Sequence, residues 1–166
     1  MMKQISKQIL TMLAFVLPLL GMVLVTVVPA RAQSMVTLYV TDPLTGVGIY
    51  GYDPVSYFTE PVPLQGRGDF ELIWQNVPWH FATAANRDIF QSAPEIYVPQ
   101  FAGHSATGIA RGYVSDCDPQ MYVVFKQRLY LFYSAASREA FLLAPDETAI
   151  EAERRWVGLS KNLSIN

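Results

Sequence analysis

Two stretches of the chain share one pattern of hydrophobic and polar positions. In the first, the apolar runs Phe70 to Trp74 and Trp79 to Phe81 flank residues 75–78, which are typical of a turn. Thr83 then stands where a helix N-cap is expected, and the helical pattern that it opens ends at Pro94. This pattern predicts a β-hairpin followed by a helix.

The same pattern returns 51 residues further along the chain. Met121 to Phe125 and Arg128 to Tyr133 form the predicted second hairpin, around a two-residue turn, and Ser134 is the predicted cap of the second helix. Residues 81–95 and 132–146 align without a gap, and seven of their fifteen positions are identical. Such agreement at a fixed offset predicts an internal structural repeat.

The rest of the pattern predicts shorter elements. Val36 to Val40 is typical of a short strand, and the glycines from Gly46 to Gly51 predict a loop. Asp146 to Trp156 has a helical pattern, whereas Gly158 to Asn166 predicts a loose tail. Each hairpin is too small to bury its own sheet face, so we expect the two units to share one core. The predicted fold class is α+β: two pseudo-repeated hairpin-plus-helix units in one domain, with a C-terminal helix.

The first residues predict export. Lys3 and Lys7 precede an apolar run from Ile9 to Val28, and Pro29 to Ala32 supplies a small-residue cleavage site. We therefore predict a signal peptide over residues 1–32 and a periplasmic or secreted mature protein of a bacterium. The alternative is an uncleaved anchor in the inner membrane, because about 20 apolar residues are long enough to span a bilayer.

Charge narrows the classes of partner. The chain has 14 acidic and 12 basic residues, a net charge of −2. Because all charged residues of the predicted signal peptide are basic, the mature chain has a more negative net charge. Nucleic-acid binding needs a basic face, and binding to an anionic membrane surface needs a polybasic cluster. We therefore expect neither, apart from the membrane contact of an uncleaved signal.

Cys117 is the only cysteine. One thiol excludes an intramolecular disulfide, a multi-thiolate zinc or iron–sulfur site and a c-type haem attached through two cysteines. Cys117 lies between Asp116 and Asp118, whose negative charges disfavour a thiolate. We interpret it as a semi-buried loop residue without a reactive role.

Several short motifs stand in order along residues 48–156. They are Gly51 to Phe58, Trp79 to Thr83, Asn86 to Asp88 with Phe90, Pro94 to Gln100, Gly103-His104 and Arg128 to Leu131. Through these motifs the chain resembles YHS-domain proteins, in particular the exported bacterial type, some of which are selenoproteins. The resemblance implies a YHS-like domain over residues 48–157. The residue pattern places a strand-and-loop segment over residues 33–47 before it and the loose tail over residues 158–166 after it.

The chain departs from that family at its sulfur and selenium positions. Metal-binding relatives have cysteines where this sequence has Ser56 and Ala82, and the exported relatives place cysteine or selenocysteine where it has Ser105. A serine hydroxyl is neither a soft metal ligand nor a redox centre. We therefore do not expect the family's thiol or selenol chemistry, although a degenerate enzyme with Ser105 at the reactive position stays open as a hypothesis.

The two histidines are His80 and His104. Together they could hold copper or zinc if Asp53, Asp118 or Met121 supplied a third ligand. His80 also fits an ordinary strand position beside Trp79. His104 lies in a loop of small residues, and such loops expose polar side chains for function.

The motifs of common enzyme classes do not occur. Gly103 to Thr107 resembles a hydrolase nucleophile elbow, but the second glycine of that motif is missing. No phosphate loop or dinucleotide-binding glycine pattern follows the predicted signal peptide. The favoured hypothesis is therefore a non-catalytic cell-envelope module that binds a small ligand or an envelope protein.

We expect its face to form from the segments Tyr97 to Gly108 and Gly46 to Tyr52. The predicted contact residues are His104, Ser105, Gly103, Tyr52 and Asp53. The first alternative is copper or zinc handling through His104, His80 and Met121, and the second is the degenerate enzyme described above; the favoured hypothesis needs no cofactor.

Overall fold

Two antiparallel hairpins organise residues 38–163, the part of the chain that the computed structural model describes. Strand β1 (Arg67–Trp74) pairs with β2 (Val77–Phe81), and β3 (Asp118–Phe125) pairs with β4 (Arg128–Phe132). The predicted signal peptide and its cleavage site lie outside the described residues.

The two hairpins have the same register. Leu72 faces Trp79 in the first hairpin, and Val123 faces Tyr130, 51 residues later, in the second. Both ladders are also interrupted at corresponding points, between residues 67 and 71 in β1 and between residues 118 and 122 in β3. The predicted repeat is therefore confirmed in the backbone pairing as well as in the sequence.

Both hairpins reverse direction over two residues with positive φ. The φ angles are 51° at Gln75 and 61° at Asn76, and 49° at Lys126 and 58° at Gln127. Positive φ at both central residues is the type I′ geometry, whose twist matches that of the flanking strands. The prediction of a turn over residues 75–78 was therefore too long, because its last two residues already belong to β2.

Helices occupy the segments before, between and after the hairpins, and all but the last have nine residues or fewer. They are α1 (Ser56–Thr59), α2 (Ala84–Ser92), α3 (Pro94–Tyr97), α4 (Ala106–Ala110), α5 (Ala135–Leu143) and α6 (Pro145–Leu163). The predicted caps of α2 and α5 are confirmed: Thr83 Oγ1 accepts a hydrogen bond from Asn86 N at 3.1 Å, and Ser134 Oγ accepts one from Ser137 N at 3.3 Å.

The C-terminal helix is longer than predicted. Residues 158–163, expected as a loose tail, continue α6, and residues 164–166 lie outside the described residues. A glycine inside a helix costs about 1 kcal/mol. Trp156 and Leu159, on either side of the Val157–Gly158 pair, both pack against buried side chains, and this packing offsets the cost.

Each unit has its own aromatic cluster. Phe81 and Phe90 are fully buried in the first, with ring centroids 5.1 Å apart and an angle of 54° between the rings. Phe132 and Phe141 occupy the corresponding positions in the second, at 5.2 Å and 54°. Burying one such side chain contributes roughly 1.5–3 kcal/mol, so these rings are a main source of stability.

Strand β4 joins the two clusters into one core. Leu129 and Leu131 are buried in the first cluster, whereas Tyr130 and Phe132 are buried in the second. Because successive side chains of a strand point to opposite faces, β4 contributes to both sides. This arrangement confirms the expected α+β fold in which two small units bury a common core.

A left-handed turn precedes each hairpin. Tyr50 and Gly51 have φ angles of 55° and 79°, and Ala102 and Gly103 have φ angles of 54° and 88°. The two turns are 52 residues apart, so the repeat begins well before the first strand. This part of the repeat cannot be recognised in the sequence, because Gly51 and Gly103 are the only identical residues of the two turns.

The N-terminal segment is held by both of these turns. Residues 38–40 of the predicted N-terminal strand are not in a strand, and residues 36–37 lie outside the described residues. Val40 N donates to Ala102 O, and Ile49 N donates to Val40 O, both at 2.9 Å. Within residues 38–163, no helix combines the length and apolar character needed to cross a membrane.

Candidate functional site

Asp53, a predicted contact residue, is fully buried. Its Oδ1 accepts a hydrogen bond from Val55 N at 2.9 Å, and its Oδ2 accepts bonds from Ala82 N at 2.9 Å and Asn86 Nδ2 at 2.6 Å. The carboxylate thus connects α1, the end of β2 and the first turn of α2. Asp53 therefore holds these parts of the first unit together and is not exposed to solvent.

Ser105 and Gly103 are buried as well. Ser105 is 1% exposed, and its Oγ accepts a hydrogen bond from Tyr133 N at 3.2 Å. A Cβ on Gly103 would approach side-chain atoms of Ile49 and Val40 to 3.4 Å, in a backbone conformation that suits glycine. The predicted segment from Tyr97 to Gly108 is therefore mostly core rather than an exposed loop.

His104 is half-buried, between two backbone carbonyls. Its Nδ1 lies 3.3 Å from Ser115 O and its Nε2 lies 3.2 Å from Leu38 O, while its ring packs against Trp156 with centroids 5.8 Å apart. Burial lowers the pKa of His104, and the two carbonyls and the charge of Asp116 oppose that effect. Both ring nitrogens are therefore in contact with the protein's own backbone.

The other proposed metal ligands have separate environments. His80 Nε2 lies 3.1 Å from Glu71 Oε2, and Met121 packs against the second aromatic cluster. Among residues 38–163, no group of three or more His, Cys, Asp or Glu side chains is arranged to hold a metal ion. Metal handling through His104, His80 and Met121 stays a prediction.

Cys117 is buried, and burial raises the pKa of its thiol well above the ordinary value, with Asp116 and Asp118 adding to the effect. The thiol is therefore protonated at neutral pH. Its position agrees with the interpretation of an unreactive cysteine.

Part of the predicted face does form a concave site. A cavity of about 280 Å³ lies beside the left-handed turn of the first unit. It is lined by Asp42, Thr45, Val47, Tyr50, Gly51, Gln65 and His80, which we call the Tyr50 pocket. Val47, Tyr50 and Gly51 come from the predicted segment Gly46 to Tyr52. Asp42, Thr45 and Gln65 were not predicted, and His80 was predicted only as a possible metal ligand. Folding brings β2 and the segment before β1 next to this turn, which the local sequence does not reveal.

Tyr50 is held in place by both its backbone and its hydroxyl. Its φ of 55° and ψ of 28° are uncommon for a non-glycine residue, and such strain concentrates at functional sites. Its hydroxyl donates a hydrogen bond to Asp116 Oδ2, which raises the pKa of Tyr50, and its carbonyl accepts one from Gln65 Nε2 at 3.1 Å. The aromatic side of the pocket is therefore preorganised.

Carboxylates dominate the charge around this pocket. Asp42 Oδ1 accepts hydrogen bonds from Leu44 N at 2.9 Å, Thr45 N at 2.8 Å and Thr45 Oγ1 at 3.0 Å, and those from Thr45 and Leu44 lower the pKa of Asp42. Glu71 adjoins His80, and Asp116 adjoins Tyr50. A site with several carboxylates and an aromatic residue favours a positively charged ligand.

Tyr52, the last predicted contact residue, is half-buried outside the Tyr50 pocket. Its hydroxyl accepts a hydrogen bond from Gln120 Nε2 at 2.9 Å. The five predicted contact residues therefore do not come together at one surface.

Comparison of the chain with models of known protein families, with curated proteins and with solved structures finds no significant match.

Proposed function

We propose that this chain is an exported, YHS-like binding module of the cell envelope without a catalytic role, and that its site is the Tyr50 pocket. The observation that carries the proposal is the strained Tyr50, which lines a polar cavity and whose hydroxyl is bonded to Asp116 in the second unit. A fold maintains a strained backbone only where the surrounding structure holds it, and such positions cluster at ligand sites.

The chemistry of the lining favours a small organic cation. All hydrogen bonds of Asp42 to its own turn go to Oδ1, which leaves Oδ2 available to an ammonium group. The side-chain carbonyl oxygen of Gln65 is a neutral hydrogen-bond acceptor, and the aromatic ring of Tyr50 can bind a cation over its face. The volume of about 280 Å³ suits a ligand of a few heavy atoms.

The two alternatives from the sequence draw unequal support. His80 lines the Tyr50 pocket, so copper or zinc binding there would be a variant of the same site. The degenerate-enzyme hypothesis gains nothing from Ser105, which is 1% exposed and whose hydroxyl is hydrogen-bonded to the backbone. We therefore keep metal binding as an outcome of the test below.

The test is calorimetric titration of the purified protein with choline, ethanolamine and Zn²⁺, and with acetate as an anionic comparison. Asp42→Asn removes the charge while its amide oxygen continues to accept the bonds of the turn. We expect choline or ethanolamine to bind, and Asp42→Asn to weaken that binding several-fold. Asp69→Asn, the same charge change at an exposed residue outside the pocket, should leave it unchanged.

The proposal would be contradicted if the wild-type protein bound neither choline nor ethanolamine. It would also be contradicted if Asp42→Asn and Asp69→Asn bound these amines with equal affinity. Tight, stoichiometric binding of Zn²⁺ that His80→Ala abolishes would make the pocket a metal site instead.

A further inference from the structure

A second cavity, of about 460 Å³, lies between the segment that follows α1 and the outer sides of β3 and α5. It is lined by Val62, Pro63, Gln120, Tyr122 and Arg138, which we call the Arg138 groove. None of these residues lines the Tyr50 pocket. Its volume lies within the range of about 300–1,000 Å³ that is typical of sites for small molecules.

Arg138 gives this groove a hydrogen-bond donor for an anion. The guanidinium donates from Nε and Nη2 to Glu139 Oε1, at 3.2 Å and 2.9 Å. Its Nη1 makes no hydrogen bond to any residue that the structure describes, and the side chain is 35% exposed. Glu139 already uses the Nε–Nη2 edge of the guanidinium and offsets part of its positive charge, so an anion would meet only the Nη1–Nη2 edge and weak binding is expected.

The opposite side of the groove is apolar and well supported. Val62 is 64% exposed beside Pro63. Tyr122 packs edge-on against the buried Tyr57, with ring centroids 5.0 Å apart, and the hydroxyl of Tyr57 donates to Pro119 O at 2.9 Å. These contacts fix the tyrosine that faces the exposed valine.

Gln120 completes the polar side of the groove. Its backbone N donates to Asp118 Oδ1 at 2.9 Å, and its Nε2 donates to Tyr52 Oη at 2.9 Å. The side-chain carbonyl oxygen of Gln120 has no partner within residues 38–163, so it can accept a bond from a ligand hydroxyl or amide.

We propose that the Arg138 groove binds a small organic carboxylate with an apolar body. The carboxylate pairs with the free edge of Arg138, and the body lies between Val62, Pro63 and Tyr122. Arginine is the side chain best suited to carboxylate recognition, and aromatic and aliphatic walls bind the apolar part. This site goes beyond the proposed function, since it is separate from the Tyr50 pocket and prefers the opposite charge.

The repeat supplies a matched control. Arg87 occupies the position of Arg138 in the first unit, and its Nε and Nη2 donate to Asp88 Oδ1 at 3.0 Å and 2.8 Å. The two arginine side chains are 34% and 35% exposed. Arg87 therefore has the same local pairing and exposure but does not line the groove.

The test is an NMR titration of the ¹⁵N-labelled protein with phenylacetate and with the neutral phenylacetamide. We expect phenylacetate to shift the amide signals of Gln120, Tyr122 and Arg138, and phenylacetamide to bind much more weakly. Arg138→Gln should weaken phenylacetate binding about tenfold, the loss of one charge-assisted hydrogen bond, whereas Arg87→Gln should change it less than about twofold.

The proposal is overturned if Arg138→Gln and Arg87→Gln bind phenylacetate equally, or if phenylacetamide binds as well as phenylacetate. It is also overturned if phenylacetate shifts only amide signals outside the Arg138 groove. Arg138→Lys keeps the positive charge and should bind phenylacetate with an affinity between those of the wild-type protein and Arg138→Gln. If Arg138→Gln fails to fold, the comparison of Arg138→Lys with the wild-type protein still tests the proposal. Choline binding at the Tyr50 pocket should be the same in all of these variants, which separates failure of this site from failure of the proposed function.

Discussion

Asp53 and Ser105 occupy equivalent positions in the two units, each two residues after the glycine of a left-handed turn. Asp53 Oδ2 accepts a hydrogen bond from Ala82 N at 2.9 Å, and Ser105 Oγ accepts one from Tyr133 N at 3.2 Å. Both acceptors bind the first residue after their own hairpin. Two positions that a sequence motif marks as functional candidates thus serve the architecture of the repeat.

The first prediction concerns this equivalence. Asp53→Ala leaves the buried donor of Val55 and the half-buried donors of Ala82 and Asn86 without their acceptor, so it should lower the free energy of unfolding by about 3 kcal/mol. Ser105→Ala removes one neutral hydrogen bond and should cost about 1–2 kcal/mol. Urea denaturation followed by tryptophan fluorescence measures both. Equal losses in the two variants would mean that the aspartate has no special role in holding the first unit together.

The second prediction concerns the hairpin turns. Gln127 has a φ of 58°, a conformation that glycine adopts without steric cost. Gln127→Gly should therefore raise the free energy of unfolding by about 0.5–1 kcal/mol. Gln91→Gly, in the last turn of α2, is the control and should lower it by up to about 1 kcal/mol. If both substitutions were destabilising in denaturation experiments, the assigned turn geometry would be wrong.

The third prediction concerns pH. Because burial lowers the pKa of His104, the unfolded chain binds more protons than the folded chain below the ordinary histidine value of 6.5. The stability linked to His104 is therefore present above pH 6.5 and is lost as the pH falls from there through the lower folded-state pKa. Denaturation between about pH 8 and about pH 5 should show this loss, and His104→Gln should reduce it. A wild-type protein that gained stability on acidification over this interval would contradict the buried, neutral histidine.

The fourth prediction concerns Cys117. A buried thiol with a raised pKa should react slowly with iodoacetamide at mildly alkaline pH in the native protein. In guanidinium chloride the same thiol should react at the rate of a free cysteine. Mass spectrometry at successive times gives both rates. Fast alkylation of the native protein would show that the segment around Cys117 opens readily.

The hairpins and their helices could be predicted because their signals are local. Alternating apolar runs, the caps Thr83 and Ser134 and the terminal prolines specify these elements without reference to the rest of the chain. The left-handed turns could not be predicted in this way. Tyr50 and Ala102 adopt a conformation that their own backbone preferences oppose, and only tertiary contacts stabilise it.

The candidate site was predictable only in part, for the same reason. The glycines from Gly46 to Gly51 indicated a loop that could form a face, and Tyr50 does line a pocket there. Asp53 and Ser105 have the polar side chains expected of contact residues, but the repeat buries both as acceptors for the chain that leaves each hairpin. Local sequence does not distinguish a polar side chain that binds a ligand from one that binds its own backbone.

Binding of a small cation in the Tyr50 pocket is tested most directly by ¹H–¹⁵N NMR mapping with choline. We expect saturable shifts confined to the amides of Asp42, Tyr50, Gln65, His80 and their immediate neighbours. Tyr50→Ala should abolish these shifts while the spectrum stays that of a folded protein. Shifts that are absent at high choline concentration, or that are scattered over the surface and unchanged in Tyr50→Ala, would contradict it.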